Sequence, residues 1–260
     1  MTESKNTQAL QSLNVLLIGD HCTDVYHVGT VDRISPEAPV PIIKMVASAT
    51  APGMAGNVQL NLLELGIVSE YIRSPTEILK TRYIDQRSGQ QLLRVDTEPM
   101  VITWDSRTAQ PMDAYDAVII SDYNKGFLSY EDIERLIAFA SCPVFIDTKK
   151  PDLKRFAGAY VKINDLEFKN RTSDHDKLIV TMGNQGAMYN GKLYPTTKLT
   201  VTDVCGCGDT FLAALAFQYL LTEDIESAII FANLAAGITV QHRGNYAPTY
   251  NEISHACLLK

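Results

Sequence analysis

Short apolar runs that each end in a polar residue constrain this chain more than any other feature. Residues 15–18 run into Asp20, 117–120 into Ser121 and Asp122, 144–146 into Asp147, 160–163 into Asn164 and 178–180 into Thr181. Runs this short and uniformly apolar read as parallel strands buried on both faces. Helical periodicity fills the gaps: residues 57–65 stop at Gly66, residues 130–140 have Ser129 and Asp132 at their start, spaced as a capping box, and 209–221 form a third stretch. The alternation predicts an α/β fold, an open, doubly wound, mostly parallel sheet flanked by helices. In such sheets ligands bind beyond the carboxyl ends of the strands, where the polar residues fall.

Two segments break this rhythm. Residues at about 25–46 and 82–104 are β-prone, with alternation at Tyr26 and Val28, then Val40 and Ile42, and with Pro36, Pro39 and Pro41 suited to turns and edges. They predict a small β-sheet outside the main layer. Because the first excursion leaves from the polar end of the first strand, a lid over the site is favoured over a hairpin without a role, and a dimer contact is the other use for such a sheet. Neither repeats nor linkers interrupt the chain, so residues 1–260 are expected to form one domain.

A chain of 260 residues with 46% hydrophobic content is long enough for a substantial core. Its net charge of −7 and pI near 5.2 argue against nucleic acid or an anionic membrane as partner, and favour a small molecule. Five cysteines, without a Cys-x-x-Cys pair, fit a reducing compartment better than a disulfide framework. With no signal-peptide core in the first residues, the expected location is cytoplasmic.

The chemistry concentrates at residues 201–211, Val-Thr-Asp-Val-Cys-Gly-Cys-Gly-Asp-Thr-Phe, which open the third helical stretch. Gly206 and Gly208 let backbone N–H groups turn toward a phosphate, and a helix N-terminus adds partial positive charge. Asp209 stands where it can take a proton from an attacking hydroxyl. An ordinary loop with an acidic helix start is the alternative. Other motifs fail on context. Residues 186–192 have Walker A glycine spacing, but Leu193 stands where Ser or Thr is required, and Asn190-Gly191 reads as a hairpin turn. Gly206-x-Gly208 lacks the third glycine of a dinucleotide fingerprint, Cys205 and Cys207 have no second pair for a metal, and no Gly-x-Ser-x-Gly elbow occurs.

Asp-Val-Cys-Gly-Cys-Gly-Asp at 203–209 resembles the Asp-x-Thr-Gly-Ala-Gly-Asp signature of the ribokinase-like (PfkB) carbohydrate kinases. Further stretches are similar to the D-glycero-β-D-manno-heptose 7-phosphate kinase branch: Arg-Ile-Ser-Pro-Glu-Ala-Pro-Val-Pro at 33–41, Gln-Gln-Leu-Leu-Arg-Val-Asp at 90–96, Ser-Asp-Tyr-Asn-Lys-Gly at 121–126, and Asp-Thr-Lys at 147–149. The resemblance implies Asp209 as catalytic base and the N–H groups of Gly206, Cys207 and Gly208 as the anion hole. It implies Mg²⁺ at Asn164 and Glu167, for which a helix cap is the rival role, and ATP contacts at Thr181, Gly183, Asn233 and Asn164. Asp203 corresponds to a monovalent-cation (K⁺) site, and Asp20, Asp24, Gly53 and Asn57 to sugar contacts. Lys80, Arg82 and Arg94 are the cations available to clamp a sugar phosphate, a solvated strand face being equally open to them.

Three departures qualify the likeness. Met54 replaces the second glycine of the family's Gly-Gly pair, residues 66–79 are too few for a full βαβ crossover, and a helix is missing between Phe168 and Lys177. The reading is a shortened ATP- and Mg²⁺-dependent sugar kinase with a ribokinase-like fold, acting on a heptose 7-phosphate at its anomeric hydroxyl and expected to pair as a homodimer through the β lid. Its alternatives are a kinase of another sugar, sugar phosphate or nucleoside, and a degenerate kinase fold that only binds nucleotide or sugar phosphate.

Overall fold

The computed structural model describes residues 13–108, 112–197 and 200–258. The N-terminal octapeptide behind the location argument lies outside them. Each predicted buried run is a strand: β1 (Val15–Gly19), β7 (Ala117–Asp122), β8 (Val144–Thr148), β9 (Tyr160–Asn164) and β10 (Leu178–Thr181). With β4 (Ser69–Arg73), β11 (Ala187–Tyr189) and β12 (Lys192–Tyr194) they form one sheet ordered β12-β11-β10-β9-β8-β7-β1-β4. Pairing is parallel from β10 to β4 and antiparallel at β11 and β12. The β11–β12 connection is the expected hairpin, with Asn190 and Gly191 at φ 49° and 73°, the left-handed pair that a two-residue turn needs.

Strand periodicity divides the core in two. Val15 and Leu17 face one cluster with Ile119 and Phe145, whereas Leu16 and Ile18 face another with Val118, Ile120 and Ile146. The first cluster is covered by α1 (Ala55–Glu64), α4 (Cys207–Thr222), α5 (Ile225–Thr239) and α6 (Tyr250–Leu258). The second lies under α2 (Tyr130–Phe139), whose Ser129–Asp132 capping box forms as the sequence predicts. Phe145, Phe156, Phe211 and Phe217 are fully buried; each such side chain contributes about 1.5–3 kcal/mol relative to exposure.

The two β-prone excursions form a separate four-stranded sheet ordered β3-β2-β5-β6, made of β2 (His21–Ile34), β3 (Pro41–Met54), β5 (Leu79–Asp85) and β6 (Gln91–Thr97). The first excursion is longer than expected. Its strands start at His21, one residue after β1, and end at Met54, directly before α1, with bulges between Val28 and Gly29 and between Val31 and Arg33. These bulges kink the ribbon, so its two halves lack one continuous alternation to read.

The shortening is visible in the chain path. β4 is a strand that the sequence does not announce, and the chain goes from it into β5 with no helix between. Between β9 and β10 only the six-residue α3 (Asp165–Asn170) remains. Among the described residues no helix is long and apolar enough to cross a membrane.

Candidate active site

Neighbouring strands leave β1 in opposite directions along the sheet, toward β4 on one side and β7 on the other, so their carboxyl ends part and open a crevice. Asp20 follows β1 there, Tyr123 follows β7, Asn164 ends β9 and Thr181 ends β10. The N-terminus of α4 points into the same region. Its cap is Gly206 in the left-handed conformation, φ 74°, which lets the chain reverse into the helix at Cys207, two residues before the stretch marked by the sequence. A Cβ on Gly206 would lie 2.6 Å from Asn57 Nδ2, and one on Gly208 3.0 Å from Lys162 Nζ. Both glycines therefore serve close approach, and first-turn N–H groups have no acceptor within the helix.

Asp209 is 3% exposed. Its Oδ1 accepts the Tyr123 hydroxyl at 2.8 Å and its Oδ2 accepts Asn57 Nδ2 at 2.9 Å. Burial raises its pKa to about 6, although the Asn57 and Tyr123 hydrogen bonds pull it down. A carboxylate held by two donors and titrating near neutrality has the pKa and the orientation of a general base. Asn57, expected at the sugar, spends its amide N–H on Asp209. Tyr123, which the sequence marks only as part of a family-like stretch, is the second holder.

Beneath Gly208 lies a buried ion pair, Lys162 Nζ to Asp147 Oδ2 at 2.7 Å. Burial raises the Asp147 pKa against the attraction of Lys162, while Asp147 keeps the ammonium charged despite its own burial. Neither residue was given a site role from sequence: Lys162 carries its charge on β9, which otherwise reads as core, and Asp147 was marked only as the polar end of β8 and part of a family-like stretch. Of the two, the Lys162 ammonium lies nearer the glycine turn and Asp147 fixes it there.

On one side of Gly208 opens a cleft of about 450 Å³ whose walls include Asn164, Thr181, Gly183, Cys207, Gly208 and Asn233. All the sequence-predicted nucleotide residues thus share one cavity. Asn233 also donates to Tyr194 O at 2.8 Å, which ties α5 to the end of β12. Asn164 and Glu167 form a reciprocal capping box on α3, and Glu167 Oε1 additionally takes Lys149 Nζ at 2.7 Å. Among the described residues no group of three or more His, Cys, Asp or Glu side chains is placed to hold a metal. A divalent cation here would take one protein carboxylate at Glu167 and its remaining ligands from phosphate and water, which suits Mg²⁺. Asp203 ties its loop down, accepting the Cys205 N–H at 3.0 Å and the Gly244 N–H at 2.9 Å.

On the other side of Asp209 stand Asp20 and Asp24, the acids expected from sequence to meet a sugar. Asp20 is 1% exposed; its Oδ2 accepts the N–H groups of Tyr123 and Lys125 at 2.8 and 3.2 Å, and its Oδ1 has no partner among the described residues. Burial raises its pKa, against those two N–H bonds. An orphaned buried acceptor suits a ligand hydroxyl. Asp24 is paired with Arg82 and accepts Asn245 Nδ2 at 3.0 Å. Gly53 crosses Asp24 so closely that a Cβ would lie 2.4 Å from its Oδ2.

Asp24, Lys80, Arg82, Arg94 and Asp96 share one face of the small sheet by register. Lys80 lies over the Tyr123 ring, 5.5 Å from its centroid. Arg94 is one strand further out, half-exposed, and bonded to Asp96 at 2.8 and 2.9 Å. The geometry thus brings Lys80 and Arg82 to the crevice and leaves Arg94 at its rim. Met54 is buried with Cys22 and Ile78 against Tyr123, at φ 55°.

Comparison with known proteins agrees with this architecture. Residues 130–252 match the pfkB family carbohydrate kinase profile. The bifunctional protein HldE of Nitratiruptor sp. is 32% identical over 296 aligned positions that take in 92% of this chain and 64% of that protein. The chain thus spans less than two thirds of the length of the curated relatives it matches, and an alignment longer than the chain itself marks segments that it lacks. In fold, phosphofructokinase-2 from Escherichia coli in complex with potassium superposes with TM-score 0.74 at 14% identity, covering 95% of this chain and 99% of that one. Arabidopsis thaliana ribokinase complexed with ribose and ATP gives 0.67 at 15%, covering 94% and 98%. The glycine-capped helix with its buried aspartate thus lies within the segment that matches the pfkB carbohydrate kinase family, on a doubly wound sheet that, with a second, smaller sheet, has the ribokinase-like fold.

Proposed function

We propose that the chain is an ATP-dependent sugar kinase that moves a γ-phosphate to a sugar hydroxyl. One observation carries the reading: Asp209, fixed by Tyr123 and Asn57, stands between a nucleotide-sized cleft and the orphaned acid Asp20. Asp209 takes the acceptor proton, and the N–H groups of Gly206, Cys207 and Gly208, backed by Lys162, stabilise charge on the moving phosphoryl group. ATP lies along Thr181, Gly183, Asn164 and Asn233. Glu167, with Asn164 beside it, would hold Mg²⁺, which would supply positive charge to the nucleotide phosphates, and Asp203 is the residue we assign to a monovalent cation.

The acceptor we propose is a heptose 7-phosphate phosphorylated at its anomeric position, on the strength of the HldE likeness and the 33–41 and 90–96 segments. Asp20, Asp24 and Asn57 line the polyol side, Gly53 brings the lid close, and Lys80 and Arg82 are nearest the phosphate, with Arg94 at the rim. We further propose a homodimer through the lid, whose Val46, Leu93 and Val95 are exposed, and a cytoplasmic setting. The missing segments favour a second reading, a binding protein without turnover.

ADP release measured over a panel of sugars and sugar phosphates, beside thermal protection by the same ligands, tests the assignment. Release with a heptose 7-phosphate, abolished in Asp209→Asn, is the expected result. Release with a different acceptor would change only the substrate, and protection by ATP with no release from any acceptor would overturn the kinase reading in favour of the binding protein.

A further inference from the structure

Most cations around the crevice are committed to fixed partners. Lys162 is buried on Asp147, Lys150 is buried on both oxygens of Asp122 at 2.9 and 3.0 Å with Asn124 Oδ1 at 3.2 Å, and Arg82 is held by Asp24. Lys149, which follows the last residue of β8, is different. Its Nζ has one carboxylate partner, Glu167 Oε1 at 2.7 Å, its side chain is 44% exposed, and its ammonium lies 4.9 Å from the centroid of the Tyr123 ring. That ring carries the hydroxyl bonded to Asp209. Lys149 therefore sits between Glu167, the residue expected to hold Mg²⁺ at the nucleotide phosphates, and Tyr123, the holder of the base.

We propose that Lys149 is a catalytic residue that leaves Glu167 when the nucleotide enters and contacts the transferring phosphoryl group. The inference rests on the phosphoryl-transfer reading above. An ion pair this exposed is weakly held and easily exchanged, whereas the Lys150 and Lys162 pairs would leave uncompensated buried charges if broken. Its departure also frees Glu167 Oε1 as an oxygen ligand for a divalent cation. In the transfer, the bond between phosphorus and the acceptor oxygen forms as the bond to the nucleotide's bridging oxygen breaks. The acceptor proton passes to Asp209, and Lys149 remains an ammonium throughout, balancing charge on the equatorial oxygens.

The decisive measurement is the ratio of ATP to ADP affinity in EDTA, without acceptor, for the wild-type chain, Lys149→Met and Lys149→Arg. A cation that touches the γ-phosphate favours ATP, so Lys149→Met should lower the ratio about tenfold, the size of one charge-assisted contact, and Lys149→Arg should retain most of it. The same variant should lose about tenfold or more in kcat with little change in acceptor KM, and should need less Mg²⁺ for half-maximal nucleotide binding because Glu167 has lost its competitor. If Lys149 only braces α3, ATP and ADP affinities will fall together with the melting temperature, and that unchanged ratio overturns the proposal. Should Lys149→Met fail to fold, Lys149→Gln provides the same comparison. Absence of turnover with every acceptor would count against the kinase reading, while the EDTA ratio would still decide the place of Lys149.

Discussion

Tyr123 donates its hydroxyl to Asp209 Oδ1 at 2.8 Å while its own N–H is held by Asp20 Oδ2 at the same distance. One residue thus links the candidate base to the candidate sugar acid, and Lys80 from the lid and Lys149 from the scaffold both lie over its ring.

Tyr123→Phe should keep the fold, because only one hydroxyl is lost from a packed ring. The bond it removes favours ionised Asp209, so the acid limb of the pH–rate profile should move up by about one unit, the equivalent of one hydrogen bond to a charged group. A profile that stays in place would show that the tyrosine does not tune the base.

Asp209→Asn should lower phosphoryl transfer by about 10²–10⁴-fold while ATP binding, measured by titration, is kept. In the wild-type chain, activity should rise with pH through about 6, where Asp209 loses its proton. Stability should move the other way. With its folded pKa raised from 3.8 to about 6, the stabilising protonated form is fully present below 3.8 and is lost as pH rises through 6. Asp209→Asn should therefore melt above the wild type at pH 7.5, by about 1–3 kcal/mol of stability, and the gap should close near pH 4.

Gly206→Ala places a methyl group 2.6 Å from Asn57 Nδ2 at φ 74°. Left-handed strain alone costs about 1–2 kcal/mol, and displacing Asn57 removes a donor from Asp209. The variant should show a lower melting temperature and a loss of kcat of about 10²-fold, the effect expected when one preorganised donor is lost. Full activity would mean that the turn can shift without disturbing the base.

Met54→Gly sets two effects against each other. Glycine relieves the positive φ, worth about 1–3 kcal/mol, but emptying a side chain packed with Cys22, Ile78 and Tyr123 costs about 2–5 kcal/mol. The net expectation is a modest fall in melting temperature. Because Met54 backs Tyr123, the substitution should change kcat along with acceptor preference; a change in preference alone would mean that the methionine meets the sugar directly.

What the sequence determined by itself follows from local periodicity and turn chemistry. Uniform apolar runs this short read as strands covered on both faces, so the parallel sheet, the Asn190-Gly191 hairpin and the Ser129 cap were legible, and the glycine spacing before Asp209 marked the start of a helix. Only the tertiary structure decided which groups meet. Asn57 and Asp209 lie 152 positions apart in sequence, and Lys162 looks like a misplaced charge on a core strand until Gly208 packs onto it. β4 stayed hidden because a short edge strand gains its definition from pairing with β1 rather than from its own alternation. Arg82 and Arg94 look alike in sequence, yet the order of strands in the lid sets one beside Asp24 and the other at the rim. Periodicity records which way a side chain faces along its own element, whereas hydrogen bonds between distant elements depend on how the chain returns in three dimensions. The candidate base was therefore named by its sequence, and its holders and its neighbouring charges were set by the fold.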